Sequence, residues 1–433
     1  MQQHGKIALV GGTIIDVSRE DNQFKGTVLL EDDHIKEIVS SEAEVENYYP
    51  TDVSGKYLIA GLIEMHGHFY GRATTEMRSQ HEAYCPLYLA GGITTVRTPG
   101  EFEPEVTREW KRAIEAGEKP GPRIMSAGSY FDQTPSIVRW IEGSDSLEQL
   151  TEKYHTWKRK IDFVKVYSHT PAEWIKTLAD LAHADGLKIY GHLGASTTAD
   201  AIQAGIDGIE HGFFTMSEFY NQPDPGVRGA DLAAFDPDGE AATCVIELIL
   251  QNNVAVTPTT ITFGLAGKAY SDWLDEIGAW RYLTSEGEAH HRAQRAEMDG
   301  SEEGVRNQNA LLEKQYRFIN RIYKGGGRIF CGTDPSYPLI VPGYAIVKEA
   351  QNLRLCGMGN MDILRALTCE AAKELNLDSV TGSLEAGKQA DIVVLDGNPL
   401  ENIDNLYTVS SVIKAGRLYD SAILRESAVR KMV

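Results

Sequence analysis

Cysteine is scarce in this 433-residue chain, and the five present, Cys85, Cys244, Cys331, Cys356 and Cys369, include no Cys-x-x-Cys pair. Neither a thiolate zinc site nor a disulfide framework is indicated, and a reduced, cytoplasmic setting is expected. Positive charge is also in short supply. Lys and Arg number 42 against 62 Asp and Glu, a formal net charge of −20. Nucleic acids and anionic membranes select basic faces, so neither is an expected partner. No apolar run approaches the ~18–20 residues that span a bilayer. The opening MQQHGKIALVGG has no apolar core behind a basic head, so no signal peptide is read from it. No Gly-x-Gly-x-x-Gly turn follows an early strand, which counts against an open dinucleotide-type sheet. A small-molecule substrate remains the expected partner, with homo-oligomerisation left open.

What is present is ordinary for a globular enzyme, with 42% apolar and 24% charged residues. The length suggests one domain of about 250–350 residues and something smaller. Residues 6–55 read as short Val- and Ile-rich strands broken by GG, ED and SG turns, and QADIVVLDGNPL and SSVIKAGRLYD at the far end read alike. Each end is too small to bury a core alone. Residues 1–58 and 385–433 are therefore expected to form one discontinuous β-sandwich.

Between them, over 59–384, apolar strands alternate with helical stretches. The expected strands are YLIAGLIEMH, GITTVRT, PRIMSAG, DFVKVYS, LKIYGH, GIDGIEHG, VAVTPT and GRIFCGTD, and helices include ATTEMRSQHEAYCPLYLAGG and TPAEWIKTLADLAHADG. Eight such units make an α/β fold of the (β/α)8 TIM-barrel class. Inserts at about 213–250 and 261–327 follow late strands, over the face where barrel active sites lie. A lid or substrate-selecting subdomain and, about equally, ordinary decoration or an oligomer interface are the readings they allow.

The polar residues at the strand ends carry the chemistry. His66 and His68 end the first strand at i, i+2 spacing, which on a strand points both imidazoles to one side. Lys165 sits inside the fourth strand, His192 and His211 end the fifth and sixth, and Asp334 ends the eighth. Four imidazoles and a carboxylate converging on one face suit divalent metal, zinc above all. A lysine in a buried strand is costly unless neutralised, and burial lowers its pKa. The free amine can take up carbon dioxide and become an anionic carbamate ligand. Singly, each residue has a plain alternative: a hydrogen-bonded histidine, a helix-capping aspartate, a paired lysine.

The order His-x-His, Lys, His, His, Asp, with the closing SLEAGKQADIVVLDGNPL, resembles the amidohydrolase superfamily, more closely its imidazolonepropionase-related and prolidase-like branch. The resemblance implies two metal ions. His66, His68 and Asp334 would hold one and His192 and His211 the other, with N6-carboxylated Lys165 and a hydroxide bridging them. It implies hydrolysis of an amide in a dipeptide, N-acyl amino acid or related small amide, with Asp334 as general base and then acid. Glu64 stands where many relatives carry Asp before the His-x-His, and Thr98 departs from a frequent Val-Arg-Asp. Beside the metals, Tyr70 is a candidate oxyanion donor and His169 a candidate substrate contact. Arg97 and Tyr130 are candidate substrate-binding residues. A mononuclear deaminase or cyclic-amide hydrolase, a lactonase or organophosphate esterase, and a non-catalytic scaffold are the competing readings. Lys165 weighs against the first, and the filled ligand positions weigh against the last.

Overall fold

A computed structural model of the chain describes residues 5–432 apart from 20–21, 42–44, 73–75, 220–231, 233, 266 and 337–338. Its two ends share a sheet. Ile392–Leu395 runs antiparallel to Tyr57–Ala60, with Ile392 opposite Ala60 and Leu395 opposite Tyr57. The full order is Arg417–Asp420, Val409–Lys414, Ile392–Leu395, Tyr57–Ala60, Thr13–Ile15, Gln23–Lys25. A second sheet orders His34–Val39, Thr27–Glu31, Lys6–Val10 and Tyr49–Asp52. Leu9, Val28 and Leu30 of the second sheet are buried in one apolar cluster with Ile14, Leu58, Ile392 and Ile413 of the first. β-Branched residues at these positions suit a pleated, half-buried surface.

The intervening chain is α/β. Leu62–Glu64, Ile93–Thr98 and Arg123–Ser126 form one parallel sheet. Val164–Val166, Ile189–Gly191, Gly208–Glu210 and Ala255–Thr257 form another. Parallel bridges from Phe131 to Val166 and from Val256 to Ile329 extend the second sheet on either side. Apart from Arg123–Ser126, where Arg123 and Met125 are half-buried, the strands are buried throughout, as strands covered by helices on their faces are.

Three expectations change. YLIAGLIEMH is two strands, Tyr57–Ala60 in the terminal sheet and Leu62–Glu64 in the parallel one. Gly61 lets the chain pass between them, because a Cβ there would lie 2.1 Å from Thr94 Oγ1. The expected helix over ATTEMRSQHEAYCPLYLAGG begins only at His81, and Met77–Ser79 pairs with Tyr70–Arg72 instead. Residues 73–75 of that stretch lie outside the described residues. The eighth expected strand forms no ladder. Phe330 N donates to Val256 O (2.9 Å) and Met65 N to Cys331 O (3.0 Å), so its bonds are divided between two neighbours.

In the second insert, Lys268–Glu276, Ser285–Gly300 and Glu302–Lys324 are helical. In the first, 220–231 and 233 lie outside the described residues. No helix among the described residues is long and apolar enough to cross a membrane.

A buried ion cluster ties the terminal sheet to the parallel one. Asp391 accepts from Lys414 Nζ at 3.0 Å through both oxygens and lies 3.3 Å from Arg123. Burial pulls the Lys414 ammonium down to about 8, against the pull of Asp391. Removing the anion leaves two cations facing each other. Asp391→Ala is therefore expected to cost about 3–5 kcal/mol, read as a lowered denaturation midpoint in urea. Adding Lys414→Met should recover part of that loss.

Candidate metal centre

The residues singled out by strand position meet in one cavity of about 350 Å³. His66, His68, Lys165, His192, His211 and Asp334 all line it, and only the fold brings such widely separated positions together. His66 and His68 follow the end of Leu62–Glu64 rather than lying on a strand, and Lys165 is the central residue of Val164–Val166. His192 and His211 directly follow Ile189–Gly191 and Gly208–Glu210. His211 (φ 68°), Asp334 (φ 52°) and Thr259 (φ 44°) all adopt left-handed backbone. Such conformations are costly for residues with side chains and gather at functional sites.

Each of three imidazoles is tied at Nδ1. His66 Nδ1 lies 2.8 Å from Glu210 Oε2, His68 Nδ1 3.0 Å from Gly100 O, and His211 Nδ1 2.7 Å from Thr259 Oγ1. A carboxylate and a carbonyl only accept, so Nδ1 of His66 and His68 carries the proton. Their Nε2 lone pairs are left free for a metal, an arrangement that fixes both tautomer and ring direction. His66, His211 and Asp334 offer ligand atoms within 4.8 Å of one another. His68 Nε2 is 3.2 Å from Asp334 Oδ1, and His66 Nε2 is 3.9 Å from it. The compact trio draws together residues that the resemblance divides between two metals.

The charges fit a cation. Burial holds the His66 imidazole down at about 4, against the pull of Glu210, so it is neutral. Burial also pushes His211 well below the ordinary histidine value. Burial opposes ionisation of Asp334, yet the cluster of His66, His68 and His211 around it holds its carboxyl well below the usual range. Lys165 is fully buried, and its Nζ has no hydrogen-bond partner among the described residues. Burial lowers it to about 8, which makes the free amine accessible near neutral pH. An orphaned buried amine facing imidazoles and a carboxylate fits a lysine that becomes a carbamate ligand.

Several residues are placed differently from expectation. Arg97 does not reach the cavity. It is fully buried, its Nε donating to Met65 O (2.5 Å) and its Nη2 to Glu210 Oε1 (2.6 Å), with the guanidinium 4.4 Å from the Tyr190 ring centroid. It neutralises Glu210 rather than meeting a substrate. His169 is half-buried outside the cavity lining, with its ring against the Pro135 carbonyl and its backbone N–H on Asp132 (2.8 Å). Tyr70 and Tyr130 do line the cavity, their hydroxyls 2.7 Å apart. Tyr70 starts a short hairpin, so strand parity with His66 is not what aims it.

Two acids of the site escape the sequence reading. Glu210 stands directly before His211 in IDGIEHG, and a carboxylate inside an apolar strand is its signal. Burial opposes its ionisation, but Arg97, Lys165 and His66 hold it well below the usual range. Glu64, read only as a departure from a motif, accepts from His66 N (2.9 Å), Thr333 N (3.0 Å) and Thr333 Oγ1 (2.8 Å). It clasps the His-x-His segment to the segment bearing Asp334.

The profile described as Amidohydrolase family matches residues 57–419. Among curated proteins, a 97-residue stretch is 33% identical to an adenine deaminase of Methanococcoides burtonii, covering 21% of this chain and 16% of that protein. A 120-residue stretch is 31% identical to an imidazolonepropionase of Streptococcus gordonii, covering 25% of this chain and 36% of that protein. The chain thus matches well under two thirds of the length of either relative. Among solved structures, a Xaa-Pro dipeptidase with methionine bound in its active site superposes with TM-score 0.71 at 20% identity, over 96% of this chain and 100% of that one.

Glu210→Gln keeps the shape of the side chain but removes the charge that orients His66. Metal affinity is expected to fall about 10- to 100-fold, measured by competition with a chromophoric zinc chelator. An unchanged affinity would mean that His66 does not depend on Glu210.

Proposed function

The chain belongs to the amidohydrolase family, and we propose that it is a metal-dependent hydrolase of the amide bond in a dipeptide, N-acyl amino acid or related small amide. The observation that carries this reading is the set of imidazoles tied at Nδ1 around Asp334 and an orphaned Lys165 amine. In this reading the two parallel sheets and the run 328–334 are a (β/α)8 barrel over 59–384. The terminal sheets are one sandwich of 1–58 and 385–433.

His66, His68 and Asp334 would hold one divalent ion and His192 and His211 a second, with carboxylated Lys165 shared between them. Such ions, when bound, supply Lewis acidity and a water of lowered pKa. The chain's own groups do the rest. Asp334 Oδ1, kept ionised, accepts the proton of the attacking water and returns it to the leaving nitrogen. An amide needs that return more than an ester does, because an amide anion is a poor leaving group. Tyr130 Oη donates to Gly100 O at 3.2 Å or turns its proton to Tyr70, 2.7 Å away. In the second state the Tyr70 proton is free to meet the substrate carbonyl oxygen. Burial keeps the Tyr70 phenol well above its usual pKa, so it remains a donor.

A mononuclear site finds support in one observation, the compact trio of His66, His211 and Asp334. Lys165 separates the two readings. Lys165→Ala is expected to lower amide hydrolysis at least about a hundredfold, with partial rescue by added short-chain carboxylic acids. Full activity in that variant favours the mononuclear reading. In a screen of dipeptides, N-acyl amino acids, lactones and aryl esters, turnover confined to lactones or aryl esters would sink the amide assignment.

A further inference from the structure

Above its polar floor the cavity is uncharged among the described residues. Its other described lining residues are Tyr70, Tyr130, Thr262 and Ser336, which carry hydroxyls, and the apolar Pro99, Ile137, Val138 and Phe263, with Tyr167 beside them. Among the described lining residues no cation other than Lys165 and no acid other than Asp334 is present. The Arg97 guanidinium lies outside this lining and is bonded to Glu210 through Nη2. An ionised carboxylate on the substrate's flank would be desolvated here without a cationic side chain to meet it.

One apolar wall is built with particular care. Phe263 lies face to face on Phe214, with ring centroids 3.7 Å apart and planes at 5°. Phe214 stacks on Phe213 (4.5 Å), which packs on Phe235 (4.5 Å). From the second insert, Gln308 Nε2 donates to the Phe263 carbonyl at 2.7 Å. Arg295 holds the next turn by the carbonyls of Leu265 and Gly267. The ring is thus fixed before any ligand arrives, and a preformed apolar face loses little entropy on binding. Its centroid stands 6.0 Å from that of His211, so a group resting on it would be adjacent to the reacting centre.

We propose that the substrate is an uncharged amide whose flank carries an aromatic ring or branched aliphatic group seated on Phe263, which acts as a specificity-determining residue. This rests on the amide-hydrolase reading and narrows it to the related small amides, setting aside the dipeptides and N-acyl amino acids that carry a free carboxylate.

The test uses the zinc-loaded protein and a matched pair, N-benzoyl-phenylalanine and its methylamide, with benzoate release as readout. The methylamide should show kcat/KM at least about tenfold higher. Phe263→Ala should raise KM for it more than for N-benzoylglycine methylamide, with a smaller change in kcat, and Phe263→Leu should restore part of the difference. Preference for the free carboxylate, or an equal effect of Phe263→Ala on both methylamides, overturns the proposal. Binding of the uncleavable benzenesulfonyl counterparts, measured by calorimetry, separates the two failures. Tighter binding of the neutral compound without hydrolysis of any amide upholds the substrate class and removes the amide reading. Amide hydrolysis with tighter or equal binding of the carboxylate does the reverse, and binding of neither compound overturns the class.

Discussion

The carboxylate of Glu210 is the constraint on which the site depends. It is fully buried and meets Arg97 at 2.6 Å, His66 at 2.8 Å and Lys165 at 3.8 Å. A lone buried anion would be expensive, and so would a lone buried guanidinium. Together they make the interior tolerable, and the arrangement fixes a tautomer at His66. Glu210 and His211 are neighbours in sequence with different tasks. Along a strand, successive side chains face opposite ways. The left-handed turn at His211 is what brings its ring to the cavity beside His66, with centroids 4.7 Å apart.

The second insert is bound to this centre through backbone carbonyls. Gln315 of helix Glu302–Lys324 donates to His211 O at 3.2 Å, and Gln308 of the same helix donates to Phe263 O. Gly212 has left-handed backbone (φ 59°), and a Cβ there would lie 2.4 Å from Gln315 Nε2, the atom that donates to His211 O. The insert thereby supports both a candidate ligand and the apolar wall next to it. On the opposite flank Trp140 packs edge-on against Tyr70 and Tyr130, at 5.3 and 5.5 Å, and keeps the hydroxyl pair in place.

Much of this was legible in the sequence because it depends on local order. His66, His68, Lys165, His192, His211 and Asp334 each stand in or beside a short apolar run that reads as a strand, and strand ends on one face of a parallel sheet converge. Pairing of the two chain ends followed from two short Val- and Ile-rich regions that could bury little alone. Partners across the fold were not legible. Arg97 looked like a mouth residue because its strand ends there, but its length carries the guanidinium inward to Glu210. His169 shares strand parity with Lys165, yet the chain has left the strand by then and its ring turns to Pro135. Glu64 looked like a departure from a ligand motif, and its task is to hold the backbone of His66 and Thr333 together.

The central claim is that these imidazoles, Asp334 and Lys165 form one centre for two metal ions. Anomalous diffraction at the zinc absorption edge, from crystals grown with zinc and bicarbonate, tests it most directly. The account predicts two anomalous peaks per chain, one against His66, His68 and Asp334 and one against His192 and His211, with density for a carboxylated Lys165 between them. A single peak among His66, His211 and Asp334 beside an unmodified Lys165 would contradict it.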